Sequence, residues 1–164
     1  MSELVRVRPA ERAELEVVGR ITLLGYAHDG FLTADDNYAG ELLDAFSRAD
    51  NAEVLVAEHN GTVVGTVTFC PPGSSLRELS RPGQGEFRML AVDPDARGLG
   101  AGRALVARCF DRCSELGLTE MVLCSMTEMT AAHALYASFG FVRDPSLDWQ
   151  PVPGVTLLAF RATV

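Results

Sequence analysis

The apolar positions of this chain change period as it proceeds. Residues 4–9, LVRVRP, alternate apolar and polar side chains and stop at Pro9, the period of a half-buried strand. Residues 10–26, AERAELEVVGRITLLGY, place apolar side chains at helical spacing, and Gly25 or Gly30 ends that helix. Thr33 is positioned to cap a second helix with Asp35 and Asp36 in its first turn, running through NYAGELLDAFSRA to about residue 49. Residues 53–72, EVLVAEHNGTVVGTVTFCPP, read as two strands around an Asn-Gly turn.

Residues 71–85, PPGSSLRELSRPGQG, carry loop chemistry, and a fourth strand covers about 86–92. A helix is expected from Gly98 to about Leu116, ended by Gly117. TEMVLCSM is a fifth strand, TAAHALYASF a helix stopped by Gly140, and FVRD and GVTLLAFRA the last strands, with PSLDWQPVP as the connection between them. The order, βααβββαβαββ, predicts one mixed α/β domain over residues 4–162 with helices on both faces of the sheet.

Composition narrows the partners. The 164 residues carry 48% hydrophobic side chains and a net charge of −8. That balance argues against nucleic acid, which needs a basic face, and is compatible with a cationic small molecule or peptide. No apolar run is long enough to span a membrane, and MSELVRVRPAERAELE does not read as a signal peptide, so a cytoplasmic chain is expected. Every basic side chain other than histidine is arginine. Of the four cysteines, Cys109 and Cys113 stand one helical turn apart, but no second ligand pair lies near them. With Cys70 and Cys124 in apolar strands, all four read as small core residues, and no metal is called for.

The stretch with chemistry is RMLAVDPDARGLGAGRALVARCF, residues 88–110. Glycines at 98, 100 and 102 let the backbone turn tightly just before a helix. The first N–H groups of that helix have no partners within it, and its dipole adds partial positive charge. Such a helix start holds a phosphate, and Arg97 and Arg103 add charge to it. A phosphate loop of the Gly-Lys-Ser/Thr kind is excluded because the chain has no lysine. The dinucleotide pattern G-x-G-x-x-G fails because Arg103 stands where the third glycine belongs.

LAVDPDARGLGAGRALV resembles the acyl-CoA motif of the GNAT superfamily of N-acetyltransferases, with Arg97, Gly100 and Gly102 at the matching positions. MTAAHALYASFGF is similar to a later helix motif of the same superfamily at Ala132, Leu135, Tyr136, Gly140 and Phe141, with Met129 where asparagine is usual. The resemblance implies a mostly antiparallel sheet with splayed central strands and acetyl-CoA as acyl donor. It implies that backbone N–H groups of Gly98, Leu99, Gly100, Ala101, Gly102 and Arg103 hold the pyrophosphate. Leu90, Ala91 and Val92 would pair with the pantetheine arm like an added strand, and the Leu90 N–H would polarise the acyl carbonyl. Tyr136 would lie near the thioester sulfur as general acid.

The acceptor is then a primary amine of a small molecule or peptide, attacking directly. An amine of pKa about 10.4 is neutral in only about one molecule in a thousand near pH 7.4, a deficit of about 4 kcal/mol. Glu86, six residues before Val92, is the candidate base, where the resemblance places a glutamate in many members. A structural reading stands beside it, with Arg88 two residues on and on the same strand face. Tyr26, Asp29 and Phe31 are candidates to receive the acceptor. Trp149 either walls that site or packs at the interface of a homodimer. A non-catalytic acyl-CoA-binding sensor is the alternative to the enzyme.

Overall fold

The computed structural model describes residues 4–31 and 38–164. The expected cap at Thr33 and the acids Asp35 and Asp36 lie outside the described residues. Eight strands form one sheet in the order β1-β2-β3-β4-β5-β8-β6, with β7 paired to β8. They are β1 (Arg6–Pro9), β2 (Glu53–His59), β3 (Thr62–Cys70), β4 (Gln84–Val92), β5 (Glu120–Met126), β6 (Val142–Arg143), β7 (Trp149–Val152) and β8 (Val155–Thr163). The helices are α1 (Leu15–His28), α2 (Tyr38–Leu43), α3 (Ala45–Asn51), α4 (Ala101–Glu115) and α5 (Thr130–Ser138). Among the paired strands only β4 and β5 run parallel. The mixed, mostly antiparallel sheet expected from the sequence is therefore the observed one.

Both faces of the sheet are covered because its strands are apolar on both sides. In β2, Val54 and Val56 meet Leu15 and Val18 of α1 and Ala45 of α3. Their neighbours Leu55 and Ala57 face the larger core, with Leu105, Val106 and Cys109 of α4 and Tyr136 of α5. Cys109 and Cys113 are fully buried in that core, and all four thiols are free. Among the described residues no helix is long and apolar enough to cross a membrane.

Three elements differ from the sequence expectation. The second helix is broken at Asp44, whose carboxylate accepts the Ser47 N–H at 3.0 Å and so starts α3. The buried Arg48 donates to the carbonyls of Glu41 (2.6 Å) and Leu42 (3.1 Å) and so satisfies the end of α2. Helix α4 begins at Ala101, three residues late, because Gly98 and Gly100 take φ of +89° and +85°. The expected connection PSLDWQPVP contains β7, which folds back on β8.

Strand β4 carries the distortion that opens the sheet. Thr66 faces Ala91 and Thr68 faces Arg88, so Met89 and Leu90 together stand opposite Val67. This is a β-bulge, and Met89 adopts φ of +54°, rare for a long side chain. On the other side, β4 pairs with β5 only from Gln84 to Glu86, opposite Glu120 to Val122. Beyond that point the two strands part.

Candidate active site

The gap between β4 and β5 is the mouth of a cleft of about 830 Å³. It is lined by β4 from Phe87 to Val92, by β5 from Leu123 to Ser125, by the start of α4, and by α5 through Tyr136. The end of α1 closes it with Tyr26, Asp29 and Phe31. One channel therefore joins most of the residues singled out from sequence.

The anion cradle is built as the glycine pattern implied. The Ala104 N–H bonds to the Gly100 carbonyl at 3.0 Å. The N–H groups of Ala101, Gly102 and Arg103 precede this first turn and have no helical acceptor. Nothing stands within 4 Å of where a Cβ would lie on Gly98 or Gly100, so the backbone there faces open space. The positive φ at both positions favours glycine. The Leu99 side chain is 44% exposed and is not part of the cleft wall. The Arg103 guanidinium turns to α5, bonding Ser138 Oγ at 3.1 Å and lying 5.3 Å over the Phe139 ring. Arg97 reaches the cleft, but Asp29 holds its guanidinium through bonds of 2.8 and 2.9 Å. That arginine holds the Asp29 carboxyl below the usual carboxylate range.

After the bulge, the edge of β4 that faces β5 is unpaired. The outward polar groups of Leu90, Ala91 and Val92 are thus open to an extended chain laid between the strands. Tyr136 points into the same cleft with 6% exposure, edge-on to Phe87, Phe141 and Phe160. Burial pushes its phenol above the ordinary value, so it is protonated at neutral pH. Among the described residues its hydroxyl has no hydrogen-bond partner. Met129 lies on the cleft with its sulfur 3.5 Å from the Ser125 hydroxyl that donates to it. His133 packs on Phe160 and contacts Ser125 Oγ at 3.1 Å, and burial lowers its pKa.

Glu86 does not stand where a base in the cleft would. It is 0% exposed, and its carboxylate accepts the backbone N–H groups of Glu78 (2.9 Å), Leu79 (2.9 Å) and Ser80 (2.9 Å). The pairing with Arg88 weighed from sequence is also replaced. Arg88 Nε lies 3.0 Å from Glu78 Oε1, and Arg88 Nη1 donates to the Leu76 carbonyl at 3.3 Å. The loop between β3 and β4 brings its own acid to the strand, a contact that no local pattern announces.

The structure also adds one cleft residue that sequence reasoning passed over. Cys124 was read as a core residue of β5, yet it lines the cleft, and its thiol donates to Glu78 Oε1 at 3.5 Å. Burial pushes that thiol up to about 12. Tyr26 stacks edge-on against Tyr38 at 6.3 Å, and burial pushes its phenol well above the ordinary value. The Trp149 indole N–H is buried with no hydrogen-bond partner among the described residues, and Trp149 is not among the residues that line the cleft.

A bare helix start, an open strand edge and a protonated phenol along one cleft define a protein shaped to hold a long anionic carrier with its reactive end between two strands. Coenzyme A, with a pyrophosphate at one end and an amide-bearing arm at the other, fits those donors. The chain belongs to the acetyltransferase (GNAT) family, whose model matches residues 20–141. It is 37% identical over 130 residues to a mycothiol acetyltransferase from Cellulomonas flavigena, a match covering 76% of this chain and 36% of that protein. The chain thus spans about a third of that relative's length. It is 30% identical over 128 residues to an IAA acetyltransferase from Azospirillum brasilense, covering 72% of this chain and 79% of the relative. The structure of PaiA N-acetyltransferase from Thermoplasma acidophilum, solved in complex with coenzyme A, overlays with a TM-score of 0.76 at 14% identity over the full length of both chains.

Proposed function

We propose that this protein is an acetyl-CoA-dependent N-acetyltransferase acting on a primary amine of a small molecule or peptide. The observation that carries the reading is the continuity of the cleft. The N–H cradle at the start of α4, the unpaired edge of β4 and the Tyr136 hydroxyl lie along one channel, and Tyr26 and Phe31 wall its far side. When bound, acetyl-CoA supplies an acetyl group activated as a thioester. The N–H groups of Gly98 to Arg103 would hold its pyrophosphate, and Leu90 to Val92 would pair with its arm. The Leu90 N–H is offered to the acyl carbonyl, where charge develops. Tyr136 gives its proton to the departing sulfur, a thiol with a pKa near 8.5 when free.

The acceptor half mixes aromatic and charged groups, Tyr26 and Phe31 with Arg88, and suits a polar amine approached from the α1 side. Free, unpaired cysteines agree with a reducing compartment such as the cytoplasm. The test is release of free thiol from acetyl-CoA in the presence of amines of four kinds: an amino acid, a polyamine, an aminoglycoside and a peptide N-terminus. Amine-dependent thiol release establishes the enzyme. Tight coenzyme A binding without release from any amine would leave a non-catalytic acyl-CoA sensor.

A further inference from the structure

We propose that Glu78, in the loop between β3 and β4, takes the proton of the acceptor amine, and that Glu86 serves it by fixing that loop. The inference rests on the acetyltransferase reading and assigns its missing base.

The carboxylates around the cleft differ in what already holds them. Asp29 is bound to Arg97 on the carrier side. Glu128 lines the cleft at the foot of α5 but is exposed to bulk water. Glu86 is fully buried and saturated by three loop N–H groups. Glu78 is left. Its side chain is 19% exposed and touches Arg88 of β4 and Cys124 of β5, the two strands that part to form the cleft. Both contacting residues line the cleft. Cys124 also lies within electrostatic reach of the Tyr136 phenol. Glu78 does not itself line the cleft; it stands directly behind the lining residues Arg88 and Cys124, and Tyr136 lines the same cleft, so an acid and a base are available at one gap.

The surroundings favour basicity on balance. Glu86 from β4 and Glu41 from α2 face Glu78 with like charge, Cys70 from β3 and Tyr38 from α2 lie near it, and Arg88 from β4 and the Cys124 thiol of β5, which donates to it, act in the opposite sense. Burial is the largest effect and leaves the carboxyl above its ordinary value in spite of the arginine. Glu86 accounts for the geometry. Two of its bonds, at 2.9 and 3.1 Å, hold the backbone N–H of Glu78 itself. Glu86 is thus a positioning residue.

The step balances as follows. The ammonium form of the acceptor gives one proton to the Glu78 carboxylate and becomes a neutral amine. The N–C bond forms as the C–S bond breaks, and the sulfur takes the Tyr136 proton. The second proton of the acceptor nitrogen returns to Tyr136 through solvent, and Glu78 releases its proton to water. The products are an amide, a free thiol and one proton.

The test compares Glu78→Gln, Glu78→Asp and Glu86→Gln in the intact protein. Carbon-detected NMR titration should show one carboxyl titrating above the ordinary glutamate range in the wild type and missing in Glu78→Gln. With a strongly basic amine, Glu78→Gln should lower kcat/KM about 10²–10⁴-fold and remove the acid limb of the pH profile. With a weakly basic amine, already neutral at pH 7, the loss should be much smaller. Glu78→Asp, which keeps a charge beside Arg88, should restore the acid limb. Glu86→Gln should lower both melting temperature and rate yet keep an acid limb, because Glu78 still titrates. No high-titrating carboxyl, equal losses with both amines, or an acid limb lost in Glu86→Gln but kept in Glu78→Gln would each overturn the assignment. Coenzyme A affinity unchanged by Glu78→Gln, with no thiol release from any amine by the wild type, would defeat the enzyme reading instead, and the NMR titration would still judge Glu78.

Discussion

The guanidinium of Arg97 and the carboxylate of Asp29 meet through two parallel bonds of 2.8 and 2.9 Å, joining the end of α1 to the loop that opens α4. The arginine that the sequence offers to a phosphate is thus neutralised by an acid of the same chain. Asp29→Asn should free it and tighten coenzyme A binding about 2–5-fold at low salt, the worth of one exposed charge contact. Calorimetry at two ionic strengths checks this, and the gain should shrink in 0.5 M salt. Unchanged affinity would mean that Arg97 is directed away from the phosphates.

Gly100 combines a left-handed backbone with a place beside the cradle N–H groups. Gly100→Ala should lose about 1–2 kcal/mol of stability, the steric cost of a Cβ at that φ. Gly100→Glu adds a negative charge at the anion site, so coenzyme A affinity should fall tenfold or more beyond the effect of alanine. Equal affinities for the two variants would remove the cradle reading.

Tyr136→Phe keeps the ring that packs on Phe87, Phe141 and Phe160 and removes only the hydroxyl. If the phenol protonates the departing thiol, kcat should fall about 10²–10⁴-fold while melting temperature and acetyl-CoA affinity hold. A structural hydroxyl would instead cost about 0.5–1.5 kcal/mol of stability and leave turnover largely intact. The three measurements on one preparation separate these cases.

Glu86→Ala leaves the N–H groups of Glu78, Leu79 and Ser80 without their acceptor. Buried or half-buried donors without partners cost about 1–3 kcal/mol each, and water reaching the loop recovers part of that. A loss of about 2–5 kcal/mol in urea unfolding is expected, with faster hydrogen exchange at residues 78–80. Wild-type stability would contradict the anchoring role.

Acid should expose a second ion pair. Arg8 binds Glu14 at 2.8 Å and holds its carboxyl down to about 2. A carboxyl lowered on folding stabilises the protein above its unfolded value near 4.5 and loses that contribution as pH falls toward 2. The pair is partly exposed, so solvent screening limits its worth to about 1 kcal/mol. Arg8→Met should therefore be less stable than wild type at pH 6, with the difference vanishing by pH 2.

Much of the site was legible because it is built locally. The glycines at 98 and 100 permit the positive φ they adopt, and a helix start leaves its N–H groups bare whatever packs around it. Tyr136 was legible only through the resemblance of MTAAHALYASFGF to a family helix motif. The acids were legible only as acids. Glu86 and Arg88 share a strand face in the sequence, yet each is claimed by a loop whose path the sequence does not encode locally, Glu86 by the N–H groups of residues 78–80 and Arg88 by Glu78.

What the chain determined by itself is its element order, the placement of an apolar face on both sides of each central strand, and the anion-binding turn before α4. These depend on periodicity and on backbone angles that single residues permit or forbid. Tertiary structure decided where β4 and β5 separate, because the bulge at Met89 and Leu90 exists only against Val67 of the neighbouring strand. It also decided which carboxylate is buried and bound, Glu86, and which meets the cleft residues Arg88 and Cys124, Glu78. A charge has no role until its partners arrive, and here they arrive from 6 to 68 residues away in the chain.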